Sequence, residues 1–281
     1  MGMGAVAVSP LPFRAAAEEP LAVPSHRIVV KYGFSFVNRS GVLIPAARAT
    51  CCAPVKACSS QRCVRVAASG SDSLSPDGVG NQFAAFALGA LAPRAITLCR
   101  IQAEIDMGRR VADPSEQADA NLFLAPDRWV PSGHPEIARA AQRLAKGGGD
   151  VARRLCLWVS GHLRKDARVR SSLGAVCALQ TGRGDCTESA TLFAALCRAN
   201  GIPARVCGGF LVRGSAVLDP SGFHNWAEFH DGVGWRLADP NLGRFCEHEE
   251  QYVALLIWTG ERSDTGLART DNPALDVRML G

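Results

Sequence analysis

The sequence of 281 residues has few aromatic side chains, including only two tyrosines, and it has no long apolar run. Its longest uncharged stretch, residues 78–93, covers 16 residues and is interrupted by Gly, Asn and Gln. A helix needs about 20 predominantly apolar residues to cross a bilayer, so we expect no membrane span. Charge is also modest, because 31 basic residues against 26 acidic ones give a net charge of +5. This balance does not by itself indicate a nucleic-acid partner, and none is predicted.

Several motifs of cofactor-dependent and metal-dependent enzymes are missing. The sequence has no HExxH pair, no phosphate-binding glycine loop ending in GK[ST], and no dinucleotide fingerprint after a strand. No run of Asp, Asn and Glu resembles the calcium-binding loop of an EF-hand. We therefore predict neither a cofactor nor a metal site.

Cysteine, in contrast, is abundant, and its count of 11 is odd, so the cysteines cannot form a closed set of disulfides. Cys51, Cys52, Cys58 and Cys63 lie within 13 residues, but they lack the paired C-x2-C spacing of a zinc site. Disulfides in this cluster would require an exported protein. No Lys or Arg precedes the short apolar run at residues 5–8, as a secretory signal would require. We expect a cytoplasmic protein, exported only if the true start lies upstream.

Two segments in the first part of the chain alternate between apolar and polar residues, as half-buried strands do. They are residues 27–37 and residues 97–105. The first segment ends in turn-forming residues, and residues 42–44 are predicted to begin a return strand. Residues 67–81 are rich in Ser, Gly and Asp and are predicted to form a long loop. These patterns predict a small β-rich module.

The character of the sequence changes near Pro126, Pro131 and Pro135, which mark a natural boundary. Apolar residues then recur at helical spacing over residues 136–146 and 151–164. We predict an α+β protein whose three parts are a flexible tail at 1–24, a β-rich domain at 25–125 and a second domain with helices at 126–281.

Cys186 is predicted to lie at the start of a buried helix. Gly184 and Asp185 interrupt regular structure just before it, and apolar residues then follow at helical spacing up to Asn200 and Gly201. At a helix N-terminus, unpaired N–H groups and the positive end of the helix dipole favour a thiolate and can stabilise an oxyanion. Cys186 is therefore a candidate nucleophile, whereas Cys197 lies in the middle of the helix on its packed face.

A hairpin is predicted to bring a histidine and an aspartate together. Asp231 and Gly232 are typical of a two-residue turn, which would pair His230 with Val233. Counting back along both strands then places His224 directly opposite Asp239, with Cβ atoms about 4.5–5.5 Å apart. His230 would share this face but should be exposed beside the turn. Because Asp239 precedes a proline, it could instead serve only to start a turn.

Other side chains near these positions are candidates for an oxyanion or pocket role. Gln180, six residues before Cys186, could offer its amide to an oxyanion, but it could equally be exposed. Trp226, Glu228 and Trp235 are expected to line a pocket and pack rather than react. Trp158 could also offer an indole N–H, although its helical spacing favours a place in the core.

The runs GRGDCTE, GIPAR, HNWAE and GWRLADP, in this order, resemble the transglutaminase-like superfamily over about residues 125–260. The resemblance implies a papain-like core in which a helix carrying Cys186 packs on an antiparallel sheet carrying His224 and Asp239. It also implies that these residues act as nucleophile, general base and orienting carboxylate in acyl transfer on amides through a thioester.

The partner implied by the resemblance is a protein or peptide amide, and the outcome is hydrolysis or transamidation. The alternative is a non-catalytic module of the same fold that binds a peptide or serves as a scaffold. The oligomeric state stays open.

Overall fold

The computed structural model describes residues 26–108, 120–165, 174–260 and 266–281. The predicted flexible tail, residues 1–24, lies outside these ranges. The architecture is α+β, with a β-rich N-terminal region followed by a helix-and-sheet core, as the sequence predicts. The described helices include none that is long and apolar enough to cross a bilayer.

The described residues form sixteen strands. They are β1 His26–Asn38, β2 Arg48–Ala53, β3 Gln61–Ser69, β4 Ser73–Pro76, β5 Gln82–Ala87, β6 Ile96–Met107, β7 Arg164–Lys165, β8 Arg183–Gly184, β9 Ala204–Leu211, β10 Ala216–Val217, β11 Phe223–His230, β12 Trp235–Asp239, β13 Arg244–Phe245, β14 Tyr252–Ile257, β15 Ala268–Thr270 and β16 Leu275–Leu280.

Four α-helices lie within the described ranges, all of them between β6 and β9. They are α1 Pro135–Ala145, α2 Val151–His162, α3 Gly174–Thr181 and α4 Cys186–Ala199. Short 3-10 turns occupy Asn121–Phe123, Pro220–Gly222 and Glu249–Gln251.

The two alternating segments form the long central strands of the N-terminal region. β1 and β6 pair antiparallel from His26 opposite Met107 to Val37 opposite Ile96. The predicted inward side of β1 is confirmed, since Ile28, Val30, Tyr32, Phe34 and Phe36 are all buried. Their burial against a second sheet, ordered β15-β2-β5-β4, forms the core of this region.

Two local predictions for this region are wrong. Residues 42–44 form no strand and contribute only a single bridge, Ile44 with Leu91, because Asn38 donates its side-chain amide to the Val42 and Leu91 carbonyls and closes the turn. The predicted loop at 67–81 contains the end of β3 and all of β4. β4 is fully exposed, so no apolar pattern marked it, and pairing with β5 supplies its hydrogen bonds.

Strands from late in the chain complete the N-terminal sheets. β16 pairs antiparallel with the second half of β1, and β10 pairs parallel with Val30 and Lys31 of the same strand. β15 pairs with β2. The division at residue 125 stays a prediction; the structure adds that the chain returns to the N-terminal region after the core.

The core is a five-stranded sheet of order β13-β12-β11-β9-β14 with α4 packed against it. Apolar side chains of α4 such as Leu192, Phe193 and Leu196 are completely buried among α1, α2, α3 and the sheet. Burying each such side chain contributes about 1.5–3 kcal/mol, so packing holds this helix firmly on the sheet. The position of Cys186 follows from that packing.

The outer edge of β14 is covered by side chains from the N-terminal region. The Gln61 amide donates to the Ala254 carbonyl at 3.0 Å and accepts from the Ala254 N–H at 2.8 Å. The Asn81 amide likewise donates to the Ile257 carbonyl at 2.9 Å and accepts from the Ile257 N–H at 2.6 Å. Both amides are completely buried and imitate a neighbouring strand. The strand edge is thereby closed, and the N-terminal region is joined to the core sheet.

Candidate active site

Cys186 is the first residue of α4, as predicted. Asp185 caps the helix, accepting the Thr187 N–H at 2.7 Å, while its own N–H donates to the Glu188 carboxylate at 3.1 Å. This reciprocal capping box fixes the direction in which the chain enters the helix. The thiol of Cys186, which is half-buried, consequently projects from a rigid first turn.

The glycine before the cap is required by close packing. A Cβ at Gly184 would overlap the Cβ of Glu188 and lie 2.8 Å from its Cγ. Glu188 is completely buried and forms half of the capping box, so it has no room to move. The Gly-Asp-Cys order in the sequence therefore follows from the geometry of this helix start.

His224 and Asp239 form a hydrogen-bonded pair. His224 Nε2 lies 2.8 Å from Asp239 Oδ2, and the side chains are 12% and 0% exposed. The same carboxylate accepts the Leu242 N–H on Oδ1 at 3.2 Å. Asp239 therefore holds the ring of His224 and also closes the turn after β12, so the turn role and the orienting role are compatible.

The hairpin that joins them differs from the prediction by two residues. His230 pairs with Trp235 rather than Val233, so the loop has four residues, Asp231 to Gly234. The Asp231 carboxylate accepts the N–H groups of Val233 and Gly234 at 2.8 and 2.9 Å, and this stabilises the longer loop.

The shift of register preserves the predicted contact. Continuing the observed register places Asp239 opposite Trp226, two residues from His224. A shift of two residues keeps every side chain on its original face, and diagonal neighbours remain within reach of a long side chain. The His–Asp pair is therefore present although the predicted register is wrong.

His224 also contacts Cys186. Burial lowers the pKa of His224, but hydrogen bonds to Asp239 and Cys186, together with the charges of those two groups, raise it to about 9. The structure thus brings all three residues together at the junction of α4, β11 and β12. A proton on the His224 ring is stabilised by Asp239 on one side and by the contact with Cys186 on the other.

A further hydrogen bond joins the two elements that carry Cys186 and His224. Asn225 donates its amide to Thr187 Oγ1 at 3.0 Å, and both side chains are buried. The bond lies one residue after each of the two reactive groups. It fixes the spacing between the first turn of α4 and β11.

Glu228, Trp226 and Trp235 are buried in the sheet. Glu228 is fully enclosed and binds Arg205 through Nε and Nη2, at 2.9 and 2.6 Å. Its other oxygen accepts the Ser59 N–H at 3.0 Å, so the ion pair also attaches the N-terminal region. Trp226 stacks beside His224 with ring centres 6.4 Å apart, and the Arg205 guanidinium lies 3.9 Å from the Trp235 ring centre. A pocket role for these side chains stays a prediction.

The structure places two of the remaining candidates in other interactions. Gln180 is exposed on α3 and donates to both oxygens of Glu136, at 2.9 and 3.0 Å. Trp158 stacks on His162 with ring centres 4.4 Å apart. An oxyanion role for Gln180 stays a prediction, and it would require the amide to leave Glu136.

His230 is buried, and the expectation of an exposed ring beside the turn is wrong. Because the loop is two residues longer, His230 lies opposite Trp235 and packs edge-on against its ring at 5.5 Å. Its Nδ1 accepts the Gly232 N–H at 3.2 Å. The His230 ring therefore stabilises the hairpin.

Sequence reasoning missed Tyr252 and Arg244. The Tyr252 hydroxyl donates to Asp239 Oδ2 at 2.8 Å, the same oxygen that binds His224, and it lies 3.3 Å from Arg244 Nη1. Tyr252 begins an apolar strand with no motif of its own. In the sheet, β11 and β9 lie between β12 and β14, so the sequence does not indicate that Tyr252 and Asp239 meet. No local signal could have identified it.

All eleven cysteines lie within the described residues, and none of them forms a disulfide. Cys51, Cys52 and Cys58 are buried, and the thiol of Cys51 hydrogen-bonds to Cys99 on β6 rather than to another member of its cluster. No group of His, Cys, Asp or Glu in the described ranges has the arrangement of a metal site.

Comparison with known proteins agrees with this architecture. Residues 135–240 match the family model of the transglutaminase-like superfamily. The crystal structure described as "a Putative Cysteine Protease from Cytophaga hutchinsonii" superposes with a TM-score of 0.63 at 16% identity, covering 92% of this chain and 91% of that one. No curated protein matches the chain significantly.

Two further structures are less similar. The periplasmic domain of TgpA from Pseudomonas aeruginosa, bound to ethylmercury, gives a TM-score of 0.40 at 19% identity over 66% of this chain and 68% of that one. Red sea bream transglutaminase gives 0.32 at 13% identity, covering 79% of this chain and 49% of that one. The family match is confined to residues 135–240, and the likeness to the Cytophaga hutchinsonii structure concerns the fold of the chain.

Proposed function

We propose that the protein is a cysteine-dependent acyl-transfer enzyme that acts on amide groups of proteins or peptides. The observation that carries the proposal is the position of His224, which contacts the thiol of Cys186 and the carboxylate of Asp239 at once. A nucleophile, a base and a group that orients the base form the arrangement of an activated nucleophile. Its place in a transglutaminase-like core supports the same reaction class.

The ring of His224 has one nitrogen for each partner. Nε2 is held by Asp239, which leaves Nδ1 to exchange a proton with Cys186. Proton transfer gives a thiolate and an imidazolium, and the sulfur attacks the carbonyl carbon of the amide. The carbon–nitrogen bond then breaks, and the leaving ammonia or amine takes the proton from His224.

The resulting thioester is resolved by a second attack. His224, now neutral, removes a proton from water or from a primary amine as that molecule attacks the thioester carbon. The carbon–sulfur bond breaks, and the proton returns to the Cys186 sulfur. Water gives hydrolysis and an amine gives transamidation, so both outcomes use the same groups.

The first turn of α4 supplies the means to stabilise the oxyanion in each attack. The first four N–H groups of a helix have no partner within the helix, and that of Cys186 is beside the reacting sulfur. Removing one oxyanion donor in comparable acyl-transfer enzymes costs roughly 10²–10³ in rate. The capping box is therefore expected to matter for rate as well as for folding.

Selective alkylation tests the proposal without a known substrate. The protein is treated with a limiting amount of iodoacetamide at pH 7, and each cysteine is quantified by mass spectrometry. Cys186 should react first, ahead of half-buried Cys177, Cys63 and Cys246. Burial raises the pKa of Cys63 to about 11 and that of Cys246 to about 12, so these thiols are slow internal references.

A matched variant identifies the cause of the reactivity. His224→Ala should slow labelling of Cys186 at pH 7 and leave labelling of Cys177 unchanged. Release of ammonia from a glutamine-rich protein, measured with and without a primary amine, should disappear in Cys186→Ala. If Cys186 reacts no faster than Cys177, a non-catalytic binding module becomes the better interpretation.

The cytoplasmic location expected from the sequence stays a prediction.

A further inference from the structure

Asp239 is completely buried and accepts hydrogen bonds from three donors. Leu242 N–H binds Oδ1, while His224 Nε2 and the Tyr252 hydroxyl share Oδ2, each at 2.8 Å. Nothing in the reaction proposed above requires the third donor. The tyrosine is nevertheless aimed at the one oxygen that faces the histidine.

The Tyr252 hydroxyl is held in this position from several directions. Arg244 Nη1 lies 3.3 Å from its oxygen, and the ring packs edge-on against Trp226 at 5.1 Å. Burial, and the charge of Asp239 together with the hydrogen bond to it, raise the pKa of the Tyr252 phenol well above its ordinary value. The phenol therefore remains a proton donor throughout the working range of a cysteine enzyme.

Five elements supply the charged and titratable groups that act on His224 or on its neighbours Asp239 and Tyr252. They are Cys186 on α4, Asp239 on β12, Arg244 on β13, Tyr252 on β14 and Cys156 on α2. Burial and the charge of Asp239 raise the pKa of Cys156 to about 12, so it is neutral near pH 7. Among these titratable groups, Tyr252 is a neutral one that donates a hydrogen bond to the Asp239 carboxylate.

We propose that Tyr252 is a positioning residue that limits the basicity of His224 by donating a hydrogen bond to the shared oxygen of Asp239. The idea rests on the proposed function, in which His224 must accept a proton and then release it. Each donor to Oδ2 draws negative charge away from the imidazole. Without the tyrosine, the carboxylate would hold the imidazolium more strongly and release of its proton to the leaving amine would be slower.

The chain contains a matched control for this proposal. Tyr32, the second of the two tyrosines, is also buried, and its hydroxyl donates at 2.8 Å, but to the backbone carbonyl of Cys52 in the N-terminal region. Removing either hydroxyl takes a buried hydrogen bond from the protein, and removal at Tyr252 also takes the 3.3 Å bond from Arg244. Only removal at Tyr252 should alter the histidine.

The experiment is a titration of His224 by NMR in protein labelled with ¹³C and ¹⁵N at histidine, the signal being assigned from its absence in His224→Gln. In Tyr252→Phe the pKa of His224 should rise by about half a pH unit or more, because the carboxylate loses a donor and holds the imidazolium more strongly. In Tyr32→Phe it should not move.

A second measurement retains the phenol and changes its strength. In the Tyr32→Phe background, biosynthetic incorporation of 3-fluorotyrosine modifies position 252 alone. Fluorine makes the phenol more acidic and a stronger donor, so the pKa of His224 should fall. Opposite shifts from removal and from strengthening of one donor cannot come from general loosening of the fold.

An unchanged or lowered pKa of His224 in folded Tyr252→Phe overturns the proposal. If that variant does not fold, an unchanged or raised pKa with the fluorinated phenol overturns it. Neither titration requires activity, so their failure is distinct from failure of Cys186 to be alkylated selectively. A shift of the predicted sign with an unreactive Cys186 would support Tyr252 and reject the acyl-transfer function.

Discussion

Asn225 donates its side-chain amide to Thr187 Oγ1 at 3.0 Å, and these two residues directly follow His224 and Cys186 in the sequence. The bond therefore joins the strand of the proposed base to the helix of the proposed nucleophile, one residue from each. Productive proton transfer requires the two groups to remain within hydrogen-bond reach. A buried bond at this place fixes their separation better than packing alone.

Thr187→Val should weaken both the fold and the reactivity of Cys186. Valine keeps the shape of threonine but leaves the buried Asn225 amide without this acceptor, at a cost of about 1–3 kcal/mol in the free energy of unfolding. The rate of Cys186 alkylation at pH 7 should fall, because His224 is no longer held at a fixed distance. Urea unfolding and timed iodoacetamide labelling measure the two effects.

The control for this change is Thr191→Val, one turn further along α4. The Thr191 hydroxyl is also buried, and it donates to the Thr187 carbonyl at 2.9 Å and to the Glu188 carbonyl at 3.3 Å, both within α4. Its loss should leave the labelling rate of Cys186 unchanged. Equal loss of reactivity in both variants would show that the effect comes from the helix and not from the Asn225 bond.

The protein should become less stable as the pH rises from about 6.5 to about 9. Hydrogen bonds and charges from Asp239 and Cys186 outweigh burial and raise the pKa of His224 to about 9, against an unfolded value near 6.5. The folded state then binds the proton more tightly. The associated stability, up to about 3 kcal/mol, is complete below pH 6.5 and is lost as the pH passes 9.

Urea unfolding at a series of pH values tests this dependence. His224→Gln should flatten the curve over that range, whereas His248→Gln, which changes an exposed ring, should leave it intact. A wild-type curve that is level between pH 6.5 and 9 would contradict the raised pKa.

Gln61→Met should destabilise the protein although Gln61 is far from the reactive groups in sequence. The substitution removes both bonds to Ala254 and the bond to the Val55 carbonyl at 2.7 Å. Buried backbone groups of β14 would lose their partners, at about 1–3 kcal/mol for each group. The midpoint of urea unfolding should fall accordingly.

Gln82→Met provides the comparison. Gln82 is partly buried and hydrogen-bonds the Pro54 carbonyl at 2.7 Å and the Cys63 thiol, and its loss should cost about 1 kcal/mol for each bond. If Gln61→Met were no worse than Gln82→Met, the closed edge of β14 would not contribute as the geometry indicates.

The sequence predicts most accurately where local chemistry is decisive. The alternating pattern of β1 and the break-and-cap order before Cys186 each reflect a preference that neighbouring residues satisfy by themselves. The hairpin is predicted only in part. Asp231 and Gly232 do lie in the turn, but the Asp231 carboxylate accepts two N–H groups of a loop that is two residues longer than predicted. The inward face predicted for β1, which depends only on parity, is confirmed.

Tertiary structure decided everything that depends on residues distant in the chain. Only in the tertiary structure does β16 pair with β1. The same holds for the hydrogen bonds from the Gln61 and Asn81 amides to β14 and from the Tyr252 hydroxyl to Asp239. Such contacts are determined by the order of strands in a sheet, which no local pattern records. The sequence by itself determined that a cysteine begins a helix and that a histidine and an aspartate share a strand face. Only the packing of α4 on the sheet brought these groups within reach of one another, because burying an apolar helix selects one position out of many.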